Sequence, residues 1–191
     1  MDEIVEGIIK KIGCSEADAE RIRAAYICAR DAHAGQLRKS GEPYITHPLA
    51  VADMLADMYL DPASIMAALL HDVIEDTPLT YEDLKAKFGT EVADLAEGVT
   101  KLTRMPYTTR EEEEYENLRK LFIATAKDIR VIIIKLYDRL HNMRTLQYRS
   151  PRKQKEISFE TMLIYAPIAH RLGMNNVKNF SAGLRVPTMA W

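Results

Sequence analysis

The stretch that most constrains this chain begins with an unbroken apolar run, Ile65 to Leu70, and passes directly into His71-Asp72-Val73-Ile74-Glu75-Asp76 before Thr77-Pro78 stops it. A run with no polar face has to lie at the centre of a packed structure. It then delivers four proton-handling or metal-binding side chains, His71, Asp72, Glu75 and Asp76, from that buried position. On one continuous helix, at roughly 100° per residue, the four fall within an arc of roughly 140°. Three carboxylates and an imidazole on one turn repel each other unless something cationic sits among them. The partial negative charge of a helix C-terminus sharpens that need. The stretch therefore reads as part of a metal site at the end of a buried helix.

The rest of the chain is patterned as helices. Ile4, Val5, Ile8, Ile9 and Ile12 recur at helical spacing up to Gly13, a C-terminal glycine. Ser15 and Asp18 have capping-box spacing for a second helix to about His33. The following stretch, 33 to 48, holds two glycines and two prolines with little apolar periodicity, so it is expected to be a loop. Pro48 suits the first position of a third helix, which leaves His47 just outside it in an extended conformation. Asp61-Pro62 repeats the device for the central helix, which is expected to run on to Asp76.

Thr80 caps a short helix ended by Phe88-Gly89, and Thr90 starts another. Thr103 to Thr109 reads as a connection. Glu111 to Glu114 reads as a solvated first turn of a helix through Leu118, Leu121 and Phe122. Val131 to Ile134 alone would suit a strand, but apolar positions 136, 140 and 143 make a buried helix the better reading. A last helix is expected from Pro151 to about Leu172, with Gly173 after it. The fold class is all-α, a helical bundle.

Composition narrows the function. The 191 residues are 47% hydrophobic, enough to bury a core, and the net charge of −2 gives no general attraction to nucleic acid or to an acidic membrane. An anionic substrate would need a local cationic patch, which Arg38 and Lys39 supply. Cys14 and Cys28 lack metal-type spacing and read as thiols of a reducing cytosol. With no apolar run of roughly 20 residues, a soluble cytoplasmic protein is expected, with neither nucleic acid nor membrane as partner.

Three separated pieces offer further ligands: His47, the pair His71-Asp72, and Asp138. Two imidazoles and two carboxylates suit Mn²⁺, Fe²⁺, Co²⁺ or Zn²⁺. Asp138, Asn142 and Thr145 stand at i, i+4 and i+7, so one helical stripe adds an amide and a hydroxyl able to hold a ribose or a phosphate.

These residues resemble the HD metal-dependent phosphohydrolases. Four ordered blocks narrow the resemblance: HAGQLRKSGEPYITHP (33–48), ALLHDVIEDT (68–77), DRLHNMRTL (138–146) and YAPIAHRLGM (165–174). Together they resemble the N-terminal hydrolase domain of the bacterial RelA/SpoT homologues, which make and destroy the alarmone (p)ppGpp of the stringent response. The resemblance implies one Mn²⁺ on His47, His71, Asp72 and Asp138, with other divalent metals possible, and Glu75-Asp76 as the catalytic pair. It implies nucleotide contacts from Arg38, Lys39, Ser40, Tyr44, Asn142 and Thr145. The implied reaction removes the 3′-pyrophosphate of (p)ppGpp by a metal-activated water, leaving GDP or GTP.

The resemblance spans about 15 to 174, so residues 1–174 are expected to form the hydrolase domain. Residues 175–191 are expected to form an atypical tail, with no synthetase domain. Tyr137 departs from the small residue usual before this aspartate, and its phenol either packs outward or narrows the pocket. The alternatives are an HD phosphohydrolase for another nucleotide, or a catalytically weak regulatory module from a truncated bifunctional enzyme. The sequence does not decide which of Glu75 and Asp76 is the base, the preference between ppGpp and pppGpp, or the oligomeric state.

Overall fold

The structure, a computed structural model, describes residues 1–101 and 127–174. The chain divides into two compact units, Met1–Lys135 and Leu136–Trp191. Among the described residues the elements are helical, with a single isolated bridge between Leu37 and Pro43, as expected for an all-α chain. The expectations for 102–126 and for the tail 175–191 lie outside the described residues.

In the first unit, helix α1 (Asp2–Ile12) ends on Gly13 at φ 61°, a left-handed cap whose N–H reaches Ile9. Helix α2 (Glu16–Ala32) starts where the Ser15 hydroxyl accepts the Asp18 N–H. Helix α3 spans Thr46–Ala56 and helix α4 Pro62–Leu70, the latter capped by the Asp61 carboxylate on the Ser64 N–H. After α4 come the single turn α5 (Val73–Asp76), α6 (Tyr81–Phe88) with a complete Thr80/Asp83 capping box, and α7 (Thr90–Lys101).

Helix α4 is the centre of this unit. Every residue from Ser64 to Leu70 is at most 1% exposed, because α4 packs against α2, α3 and α7. Burying its Ile65, Met66, Leu69 and Leu70 side chains stabilises the unit by about 1.5–3 kcal/mol each. Arg130 ties three acidic side chains together, at 3.2 Å from Asp61, 2.8 Å from Glu91 and 2.7 Å from Asp128.

Two expectations need correction here. Helix α3 begins at Thr46, so His47 and Pro48 both lie in its first turn, and His47 is helical rather than extended. The proline is still accommodated, since first-turn N–H groups have no intrahelical partner to lose. The central helix also does not run on to Asp76. It stops at Leu70, and Asp72 at φ −93° and ψ −7° separates it from α5. The carbonyl of His71 lies 3.0 Å from the Thr100 hydroxyl, which it shares with the Ala96 carbonyl at 3.0 Å, while the Glu75 N–H turns to the Asp72 carbonyl at 3.2 Å. A side chain from α7 thus approaches a carbonyl that a continuous helix would have used, and the four side chains do not share one continuous helix.

Helix α8 (Ile129–Arg144) is one uninterrupted helix, as its apolar spacing predicts, and the boundary between the units falls within it. In the second unit a 3₁₀ turn (Leu146–Tyr148) leads to α9 (Pro151–Glu160), capped by Ser150. A π-helical turn, Thr161–Tyr165, then joins α9 to α10 (Ala166–Arg171). The Thr161 hydroxyl donates to the Ile157 carbonyl at 2.6 Å, and Pro167 brings no N–H to the ladder. The last helix predicted from sequence is therefore present but interrupted. Gly173 follows it at φ 70°. Arg139 lies 4.2 Å over the Tyr165 ring and 2.7 Å from Glu160, a cation–π contact and an ion pair that hold the unit together.

Candidate metal centre and its surroundings

Two imidazoles from different helices meet beside one carboxylate in the first unit. His47, in the first turn of α3, and His71, just after α4, are each 1% exposed, and their rings approach edge to face at 5.3 Å. The same oxygen of Asp72, Oδ2, lies 3.2 Å from His71 Nε2 and 3.7 Å from His47 Nε2. Helix α4 fixes the first distance, since His71 and Asp72 are neighbours at the helix break. The packing of α3 against α4 fixes the second.

The hydrogen bonding orients His71 as a ligand. Its Nδ1 sits 2.7 Å from the Ala68 carbonyl, which can only accept, so Nδ1 carries the proton and Nε2 presents a lone pair towards Asp72. A lone pair facing a carboxylate oxygen at 3.2 Å is reconciled by a proton or a metal ion between them. The donors present, imidazole nitrogen and carboxylate oxygen without thiolate, fit a borderline divalent ion.

Tyr44 adds a phenol to this group. Its hydroxyl lies 2.8 Å from Asp72 Oδ2 and 2.9 Å from Asp76 Oδ2, and so links the carboxylate beside the histidines to one in α5. Burial, and then the negative charges of Asp72 and Asp76, push the Tyr44 phenol well above its usual range, so it remains a proton donor. His33 stacks on the Tyr44 ring at 4.5 Å.

The other sequence candidates of this unit lie on the loop before α3. The Arg38 guanidinium is 5.8 Å over the Tyr44 ring, Lys39 is exposed, and the Ser40 hydroxyl donates to Glu42 at 3.0 Å. The loop is closed by bonds from Arg38 N–H to the Glu42 carbonyl and from Gly41 N–H to the Arg38 carbonyl. Glu75, in α5, is half-buried.

In the second unit Asp138 is 4% exposed and accepts the Asn142 amide at 2.6 Å, one turn further along α8. The Thr145 hydroxyl bonds back to the His141 and Asn142 carbonyls at 3.2 and 3.3 Å. Tyr137 is 6% exposed, so its side chain lies within the protein rather than in solvent. Gln36, a loop residue that the sequence does not single out, bonds both His33 and the Asp76 carbonyl, at 2.9 Å each. Nothing in its spacing marks it out, because its partners come together only when the loop folds. No helix among the described residues is long and apolar enough to cross a membrane.

Comparisons with known proteins agree with this donor chemistry. The model of the HD domain family matches residues 25–175. The bifunctional (p)ppGpp synthase/hydrolase SpoT of Escherichia coli (strain K12) is 56% identical over 163 residues, covering 85% of this chain and 23% of that protein. The guanosine-3′,5′-bis(diphosphate) 3′-pyrophosphohydrolase of Haemophilus influenzae is 57% identical over 151 residues, covering 79% of this chain and 22% of its own length. The chain thus spans under a quarter of these curated relatives. A solved structure, described as a metazoan orthologue of SpoT that hydrolyzes ppGpp, matches with a TM-score of 0.64 at 27% identity, covering 85% of this chain and 90% of that one. With the family model spanning most of its length and the histidine–aspartate pair in a metal-compatible arrangement, this chain belongs to the HD domain family.

Proposed function

We propose that residues 1–174 form a Mn²⁺-dependent (p)ppGpp 3′-pyrophosphohydrolase of the cytoplasm, acting on ppGpp or pppGpp and on neither nucleic acid nor membrane. The observation that carries the reading is the convergence of His47 and His71 on one oxygen of Asp72, in a chain 56% identical to a (p)ppGpp synthase/hydrolase. Among HD domains it is the likeness to these relatives that favours this substrate over another nucleotide.

The ion would be held by His47, His71, Asp72 and Asp138, the last supported by its burial and by the Asn142 amide that orients it. Two neutral imidazoles and two carboxylates balance the charge of one divalent ion. When bound, the ion supplies a Lewis acid that acidifies water and polarises a phosphoryl oxygen. Glu75 and Asp76 are the residues that take and pass on the proton of the attacking water, one turn beyond the histidine–aspartate pair. Arg38 and Lys39 meet the phosphates and the guanine, as charge and as a stacking plane. Ser40, Tyr44, Asn142 and Thr145 line the rest of the nucleotide pocket.

The test is a panel of nucleotides incubated with the purified protein and Mn²⁺. ppGpp and pppGpp are expected to be consumed at least about a hundredfold faster than GTP, dGTP or cyclic nucleotides. Faster turnover of any of the latter would reassign the substrate.

A further inference from the structure

The loop that precedes α3 does more than carry cationic side chains towards a nucleotide. It grips the α5 turn at two points of the same residue. The Gln36 side-chain amide donates to the Asp76 carbonyl at 2.9 Å, and the Tyr44 hydroxyl reaches the Asp76 carboxylate at 2.9 Å. The two gripping residues are tied to each other, because the Tyr44 N–H donates to the Gln36 carbonyl at 3.0 Å.

His33 stands behind both. Gln36 Nε2 points to the Asp76 carbonyl, so Gln36 Oε1 faces His33 Nδ1 at 2.9 Å, and the proton of that bond belongs to the imidazole. The same imidazole is 3% exposed and stacks on Tyr44 at 4.5 Å with 21° between the planes. Its Nε2 is buried without a hydrogen-bond partner among the described residues.

This grip has a clear object. α5 is four residues long, too short to hold its own shape, since a helix of one turn lacks enough internal bonds to offset its ordering cost. Asp76 is its last residue and its side chain is exposed to solvent. A carboxylate in that position keeps one rotamer only if something outside the turn holds it.

We infer that Gln36 and the Tyr44 hydroxyl are positioning residues, with His33 as their backing, which fix the Glu75-Asp76 turn relative to Asp72. The inference rests on the phosphohydrolase reading for its kinetic consequence, but not for its structural one. The Tyr44 ring lines the pocket, and its hydroxyl serves the carboxylates. Removing the hydroxyl should thus leave nucleotide binding in place and disturb the proton-handling groups.

Tyr44→Phe keeps the ring on His33, and Gln36→Met keeps the volume while removing both amide bonds. Each is expected to lower kcat for ppGpp by about 10–100-fold with KM within about twofold of the wild type. Each should also speed amide hydrogen exchange several-fold across residues 73–77, with α2 and α4 unchanged. A raised KM at preserved kcat would mean that these groups bind substrate directly, and would overturn the inference. Exchange at the wild-type rate over 73–77 in both variants would overturn it as well. If the wild-type protein does not turn over ppGpp, the proposed activity fails, while the exchange measurement still decides the positioning role.

Discussion

At the scale of single residues, the His71-Asp72 pair and the Glu75-Asp76 pair stand four positions apart yet have different surroundings. The Tyr44 hydroxyl touches both aspartates, but Asp72 Oδ2 also faces two imidazoles, whereas Asp76 is exposed. The proposed division of labour follows from that contrast. Asp72→Ala should weaken Mn²⁺ binding by more than about a hundredfold, since even an outer partner of a metal ligand contributes 10–100-fold. Glu75→Ala should bind Mn²⁺ as the wild type does and lose about 10²–10⁴ in kcat. Titration calorimetry with Mn²⁺ beside steady-state kinetics checks both, and equal loss of metal in the two variants would refute the division.

Much of this was legible in the residues themselves. His71 and Asp72 announce themselves as neighbours after an apolar run, and no folding is needed to bring them together. The role of the Tyr44 hydroxyl was not legible, because its carboxylate partners lie 28 and 32 residues away. Gln36 was hidden for the same reason, 40 residues from the carbonyl that it holds.

At the scale of elements, the caps carried the sequence reading. Gly13, Ser15, Asp61 and Thr80 begin or end helices because each satisfies a backbone group locally, and local chemistry is what a sequence displays. The break at His71-Asp72 escaped because nothing local marks it, and the Thr100 hydroxyl that meets the His71 carbonyl comes from another helix. His47 was set one position outside α3 because Pro48 suits the first helical position, although a proline is tolerated throughout the first turn. The π turn at 161–165 likewise lies inside a stretch whose apolar spacing is helical on both sides.

Gly98 in α7 shows how tight the packing between elements is. A Cβ added there would meet Val131 Cγ2 at 2.9 Å and Cγ1 at 3.2 Å, against a branched side chain that is 5% exposed. Gly98→Ala gains about 1 kcal/mol of helix propensity and loses about 1–3 kcal/mol to overpacking. A net loss of about 1 kcal/mol is expected, lowering Tm by about 2–4 °C. Adding Val131→Ala should recover part of it, with a coupling above about 0.5 kcal/mol in a double-mutant cycle followed by thermal unfolding. Stabilisation by Gly98→Ala alone would show that the two helices yield at this contact.

At the scale of the molecule, the all-α class followed from helical periodicity throughout, while the division into two compact units did not. The reason is physical: α8 runs unbroken across the boundary, so the sequence shows neither a linker nor a change of period there. The chain corresponds to 23% of the Escherichia coli relative, a protein named for both synthesis and hydrolysis of (p)ppGpp, and the activity proposed for this chain is the hydrolytic half of that chemistry. Two buried histidines beside an aspartate, a carboxylate turn bonded to Gln36 and Tyr44, and a cationic loop are the features on which the proposed metal-dependent hydrolysis rests.

The most direct measurement is product analysis after incubating the purified protein with ppGpp. The metal is first removed by chelator and then restored as Mn²⁺. The account predicts no turnover without metal, and with Mn²⁺ the release of GDP and pyrophosphate in equal amounts. Release of orthophosphate, or no cleavage by folded protein shown to bind Mn²⁺, would contradict it.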